Sequence, residues 1–99
     1  MYSSYGEITR EHETRLLEVL ESDPSGKVRC AALNELGKVG RTELVLPPAA
    51  TVLDDPDDHV RATAVNLLGL YGQERPEYVV PLLMRALQDE SSNVRSAAT

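Results

Sequence analysis

Val28, Ala32, Leu36 and Val39 follow the i, i+4, i+8 spacing of one apolar helix face, with Glu35 the exception inside that arc. Alternation at period two is absent, so helices rather than strands are the expected elements. The pattern then returns. Residues 23–40 lie over residues 55–72 without a gap, with Asp23/Asp55, Pro24/Pro56, Val28/Val60, Arg29/Arg61, Ala32/Ala64, Asn34/Asn66, Leu36/Leu68, Gly37/Gly69 and Gly40/Gly72 identical. A third copy starts at Asp89 and continues through Val94, Arg95 and Ala98. The intervening segments, 43–55 and 77–89, match as well. The spacing between copies lengthens among Gln73 to Pro76, marking that stretch as a surface turn where length is tolerated.

Each unit reads as two helices. Asp23, Asp55 and Asp89 stand where an N-cap is wanted, and Pro24 and Pro56 occupy the first helical position, where a missing N–H costs nothing. Asp57, Asp58 and Glu90 complement the positive helix end. Gly40 and Gly72 are expected to close these helices in the left-handed conformation. Upstream, Leu44 to Leu53 and Tyr78 to Leu87 form the first helices of their units, with Pro47 and Pro81 expected near the first turn. Ile8 to Ser22 is the corresponding helix of the first unit, and Glu11, His12 and Glu13 replace its apolar residues as a terminal unit requires. The expected layout is an N-terminal tail over 1–7 and one repeat domain over 8–99, in units of about 8–40, 41–72 and 73–99, the last incomplete. Because the last helix stops about one turn after its Val-Arg, three readings stay open: a piece of a longer array, self-association or a partner covering the open end, and a frayed monomer.

The pattern Asp-Pro-x-x-x-Val-Arg-x-x-Ala-x-x-x-Leu-Gly-x-x-Gly, preceded by a helix ending in Leu-x-Asp, resembles the HEAT-like repeat of the type first associated with phycobilisome lyases. The resemblance implies an all-α solenoid of antiparallel helix pairs, about two and a half repeats, with the second helices lining the concave side. It also implies an Asp–Arg ladder between units, carried here by Asp23, Asp55 and Asp89 with Arg29, Arg61 and Arg95. The residues support such a structural role independently. Each arginine lies six residues after its Asp at the edge of the apolar face, where a planar fork of donors serves several acceptors.

Opposite the apolar arc, at about 200–300° from Val28 on a helical wheel, lie Lys27, Cys30, Ala31, Asn34 and Lys38. Their counterparts are His59, Ala62, Thr63, Asn66 and Leu70, then Asn93, Ser96 and Ala97. Small and polar residues leave room for a partner, and Asn34 and Asn66 form a repeated amide ladder. Lys27, Cys30, Asn34, Lys38, His59, Thr63, Asn66, Leu70 and Asn93 are therefore the candidate partner-binding residues. Gly37 and Gly69 lie inside helices at a cost of about 1 kcal/mol relative to alanine, which points to close helix approach. Tyr71 and Tyr78 are expected to fill the core.

Charge and candidate chemistry narrow the function. Ten Lys and Arg against sixteen Asp and Glu leave a net charge of −6, a poor start for neutralising phosphates, so neither nucleic acid nor an anionic membrane is an expected partner. No apolar run approaches the ~20 residues that span a bilayer. The single cysteine, Cys30, closes no internal disulfide, and a reducing, cytoplasmic setting is expected. His12 and Glu13 look like the His-Glu pairs with which hydroxylase members of the fold bind iron, but one pair is short of a converging ligand set. The run Asp54, Asp55, Pro56, Asp57 and Asp58 lacks the spacing of a calcium loop. Cys30 stands near Lys27 but has no candidate base, a chromophore-lyase pocket would need aromatic residues where this chain has no Trp or Phe, and two lysines are too few for a nucleic-acid groove. The expected function is a non-catalytic protein-interaction scaffold without a cofactor or metal, binding through the ridge from Lys27 to Ala97. The alternative is a bilin lyase-like subunit, or part of a larger HEAT-repeat enzyme or signalling protein.

Overall fold

A computed structural model of the chain describes residues 10–39 and 42–99. The expected 1–7 tail, Ile8 and Gly40 lie outside these residues. The described residues form six α-helices: α1 (Arg10–Ser22), α2 (Gly26–Val39), α3 (Thr42–Thr51), α4 (Asp58–Tyr71), α5 (Pro76–Ala86) and α6 (Ser92–Ala98). A short 3-10 turn, Val52–Asp54, extends α3, and no strand occurs among the described residues. The pairs α1/α2, α3/α4 and α5/α6 pack within units, while α2 against α4 and α4 against α6 join the units, so the second helices form the spine of an α-solenoid. None of the described helices is long and apolar enough to cross a membrane.

The core is one apolar cluster running through all three units, with Leu33, Leu36, Val45, Val60, Val65, Leu68 and Val94 essentially sealed. Leu33 and Val65 fall outside the apolar arc read from the sequence. A second helix is covered by its own first helix and by neighbouring units at once, so its buried arc is wider than an amphipathic stripe. Burial also depends on place in the array. Val60 and Val94 are 0% and 1% exposed, whereas the equivalent Val28 is 42% exposed.

Several local expectations are corrected. Asp23, Asp55 and Asp89 do not cap helices: their carboxylates accept the backbone N–H two residues on, from Ser25, Asp57 and Ser91. Those three residues take over the capping, with Ser25 Oγ accepting from Val28 N, Asp57 Oδ1 from His59 N and Ser91 Oγ from Asn93 N. Pro24 and Pro56 thus precede the helices rather than start them. Pro47 and Pro81 lie inside α3 and α5, not in the first turn. Both are exposed, which lets water satisfy the carbonyl each proline deprives of a partner.

Gly72 ends α4 with φ −92°, outside the left-handed region, and is needed for space: an added Cβ would collide with Val79 and the Leu68 carbonyl. Gly37 does mark a close approach, since a Cβ there would lie 2.8 Å from Leu67 Cδ2, but Gly69 faces open space. Tyr71 is half-buried and its hydroxyl donates to the Gly37 carbonyl, binding α4 to α2, whereas Tyr78 is 40% exposed and fills no core position.

Candidate functional site: the ladder and the second-helix ridge

The arginines fill the turns between units. Arg29 donates from Nε and Nη2 to the two carboxylate oxygens of Asp55 at 2.8 and 2.9 Å, and from Nη1 to the Asp23 carbonyl at 2.8 Å. Arg61 repeats this one unit later, to Asp89 at 3.0 and 3.1 Å and to the Asp55 carbonyl at 2.8 Å. The sense of the ladder follows: each guanidinium is anchored on the carbonyl of its own unit and forks onto the carboxylate of the next. Arg95 keeps the anchor, donating to the Asp89 carbonyl at 2.7 Å. Among the described residues no carboxylate meets its remaining donors.

This geometry sets the titration of the ladder. Burial alone pushes the Asp55 carboxyl up, but the hydrogen bonds from Arg29 and the Asp57 N–H, with the charges of Arg29 and Arg61, outweigh it and hold the group below the ordinary carboxylate value. The Arg61 fork and then the Ser91 N–H hold Asp89 low. Hydrogen bonding to Asp55 and Asp89 raises Arg29 and Arg61 respectively, so both arginines stay charged at any working pH. A carboxylate with a lowered folded-state value stabilises the fold above its unfolded value, and that contribution disappears as pH falls through the lowered one. The melting temperature is therefore expected to drop steeply below about pH 4, and melts across an acid series should show a shallower drop in Asp55→Asn than in wild type. Equal slopes would disprove the coupling.

The second helices place Cys30, His59, Thr63, Asn66 and Asn93 around a shallow depression of about 440 Å³, which Ala62, Ser96 and Ala97 also line. Lys27, Asn34, Lys38 and Leu70 are exposed on the same helices but do not line it, and Leu70 is 62% exposed. Cys30 Sγ lies 3.1 Å from Thr63 Oγ1, a contact across α2 and α4, and Thr63 also donates to the His59 carbonyl. Asn93 donates its amide to Asp58 Oδ2 at 3.2 Å beside Ser91 Oγ at 2.7 Å, so its carbonyl is the end left for a partner. These two donors hold the Asp58 carboxyl low. Lys38 pairs with Glu35 on the surface.

Ligand atoms of Asp57, Asp58 and His59 come within 4.8 Å of one another, the one such grouping among the described residues. Asp57 is spent capping α4 and Asp58 in holding Ser91 and Asn93, which accounts for the cluster structurally.

The sequence reading missed a groove of about 540 Å³ on the first-helix side, between α1 and α3, with Leu17, Leu44 and Pro47 in its walls and Glu13, Glu21 and Glu43 at its rim. Leu17 and Leu44 were legible only as apolar residues of amphipathic helices; which neighbour leaves them half-covered is decided by unit packing.

The sequence model of HEAT repeats matches residues 13–99. No curated protein matches the chain. Stacked helix pairs, a repeated Asp-x-x-x-x-Val-Arg turn and a match over nearly the whole length place this chain in the HEAT-repeat family.

Proposed function

We propose that the chain is a non-catalytic protein-interaction module that takes a partner segment across its second-helix ridge. The observation that carries this reading is the depression shared by α2, α4 and α6, lined by small and polar residues that include Asn66, with Asn34 exposed on α2. HEAT repeats commonly serve as protein-interaction scaffolds, and an extended backbone laid over this ridge would meet amide and hydroxyl groups at unit spacing. Among the described residues the Cys30 sulfur has the Thr63 hydroxyl and the Asn34 amide as hydrogen-bond partners, and neither is a base that takes a proton at neutral pH. A bilin lyase-like role fits less well, because no aromatic residue lines the depression. A HEAT region of a larger enzyme or signalling protein would use the same ridge. A cytoplasmic setting accords with a single half-buried thiol.

The test is a binding comparison between wild type and the double variant Asn34→Arg, Asn66→Arg. Both sites are exposed, so helicity by circular dichroism is expected to stay unchanged while affinity for a captured partner falls at least tenfold, about 1.4 kcal/mol. A partner held equally by both proteins would place binding elsewhere on the surface.

A further inference from the structure

Glu13, Leu17, Leu20 and Glu21 recur at i, i+4, i+7 and i+8 and so share one face of α1, the two carboxylates about 12 Å apart along the helix axis with the leucines between them. On α3 and the 3-10 turn that extends it, Leu44, Pro47, Pro48 and Val52 make an apolar face of similar length. The first two units join chiefly through α2 and α4, so their first helices stand apart and these faces become the walls of the groove of about 540 Å³. Pro47 and Pro48 add a polar feature to one wall. They hold the two positions from which a helix would donate to the Leu44 carbonyl, and neither has an N–H.

The charge around the groove has one sign. Five carboxylates line it and no Lys, Arg or His does. Asp55 is taken by the Arg29 fork and Asp54 pairs with Arg85. Among the described residues no basic side chain pairs with Glu13 or Glu21, the two carboxylates of the α1 wall. The gap between α3 and α5 differs in both respects: it holds about 240 Å³, and Arg75 and Tyr78 stand in its lining. An apolar furrow with an acidic rim therefore belongs to the first joint and is not a general product of stacking.

We propose that this groove docks a short basic amphipathic helix of a partner protein. The apolar ridge of that helix enters between α1 and α3 onto Leu17 and Leu44, while lysines or arginines about two turns apart reach Glu13 and Glu21. Side-chain ridges of one helix fit the furrow between two others, and the walls here are as long as two turns of such a ridge. Charge selects this occupant over a second copy, because each copy carries −6 and would bring its own acidic surface to an acidic rim. The site lies on the first helices and is independent of the ridge proposed above.

Fluorescence anisotropy tests this with a labelled peptide of about fifteen residues, carrying leucines at i, i+4 and i+7 on one helical face, lysines at both ends of that face, and alanine and glutamine elsewhere. Binding is expected to saturate and to weaken at least tenfold when the leucines become alanines. The double variant Glu13→Gln, Glu21→Gln should weaken it at least fivefold. Glu18→Gln with Glu74→Gln removes the same net charge from exposed positions outside the groove and should leave affinity within about twofold. Circular dichroism reports whether each variant keeps its helices. Wild type that shows no saturable binding overturns the proposal, and so does an equal loss in the two double variants, which would reduce the attraction to overall charge. A peptide with glutamates in place of its lysines that binds as well would also overturn it, by showing that the occupant need not be basic. Sedimentation of the chain alone covers the remaining occupant: a mass that rises with concentration and falls when the peptide is added would assign the groove to a second copy instead.

Discussion

Val60→Asp is expected to abolish cooperative thermal unfolding. Val60 is 0% exposed in α4, the helix that packs against α2, α3, α5 and α6 and so carries both joints of the array. Val60 belongs to the sealed apolar core, and no buried polar or charged residue occurs among the described residues, so an introduced carboxylate would lose its water there. An unpaired buried charge costs several kcal/mol, against a total stability of about 5–15 kcal/mol for a domain of this size. Because units contact only their neighbours, losing the middle one leaves the outer two without their packing surface. Val28→Asp is the matched control. It alters the equivalent position of the first unit, which is 42% exposed and close to the N-terminus of α2, where an added negative charge suits the helix dipole. Its effect should stay within about 0.5 kcal/mol. Melts followed by far-ultraviolet circular dichroism at low concentration compare the two; a Val60→Asp transition as sharp as wild type would refute the stacked core.

That contrast marks where sequence pattern stops being informative. Val28 and Val60 hold the same place in a repeated motif and share the same helical spacing, yet Val60 is sealed and Val28 open, because burial here depends on which described helices pack against the position. The repeat itself, the helix pairs and the Asp–Arg pattern were legible, since each leaves identical residues at fixed spacing. Capping was not. An Asp followed by Pro reads locally as an N-cap, and only an arginine 26 or 28 residues earlier, brought across the joint, shows that the carboxylate serves the turn and the ladder instead. Tyr78 misled for a similar reason: an aromatic residue in an amphipathic helix looks internal until the neighbouring unit is placed. On the ridge, the helical wheel put the candidates on one side of each second helix, but the depression takes in five of them and leaves Lys27, Asn34, Lys38 and Leu70 outside. The offset between neighbouring helices makes that selection, and no single helix encodes it.

Removing a ladder carboxylate is the second large effect, and its size should depend on which rung is removed. Asp55→Ala deletes both oxygens that Arg29 bonds and the turn to the Asp57 N–H, leaving a half-buried guanidinium without its counter-charge. A loss of about 10 °C in melting temperature is expected, since a domain of this length moves by several degrees per kcal/mol and a broken pair costs more than a missing one. Asp23→Ala deletes only the turn to the Ser25 N–H and should lower the midpoint by about 3 °C in dilute solution. Arg29→Ala combined with Asp55→Ala should lose less than the sum of the single changes, because the two side chains form one interaction. Arg61→Lys separates charge from geometry. A lysine keeps the positive charge but has no planar fork to serve both Asp89 oxygens and the Asp55 carbonyl together, so less than half of the Arg61→Ala loss should be recovered. Recovery to wild-type stability by lysine would mean that charge alone holds the joint, and that the three-point geometry of the guanidinium contributes nothing to stacking.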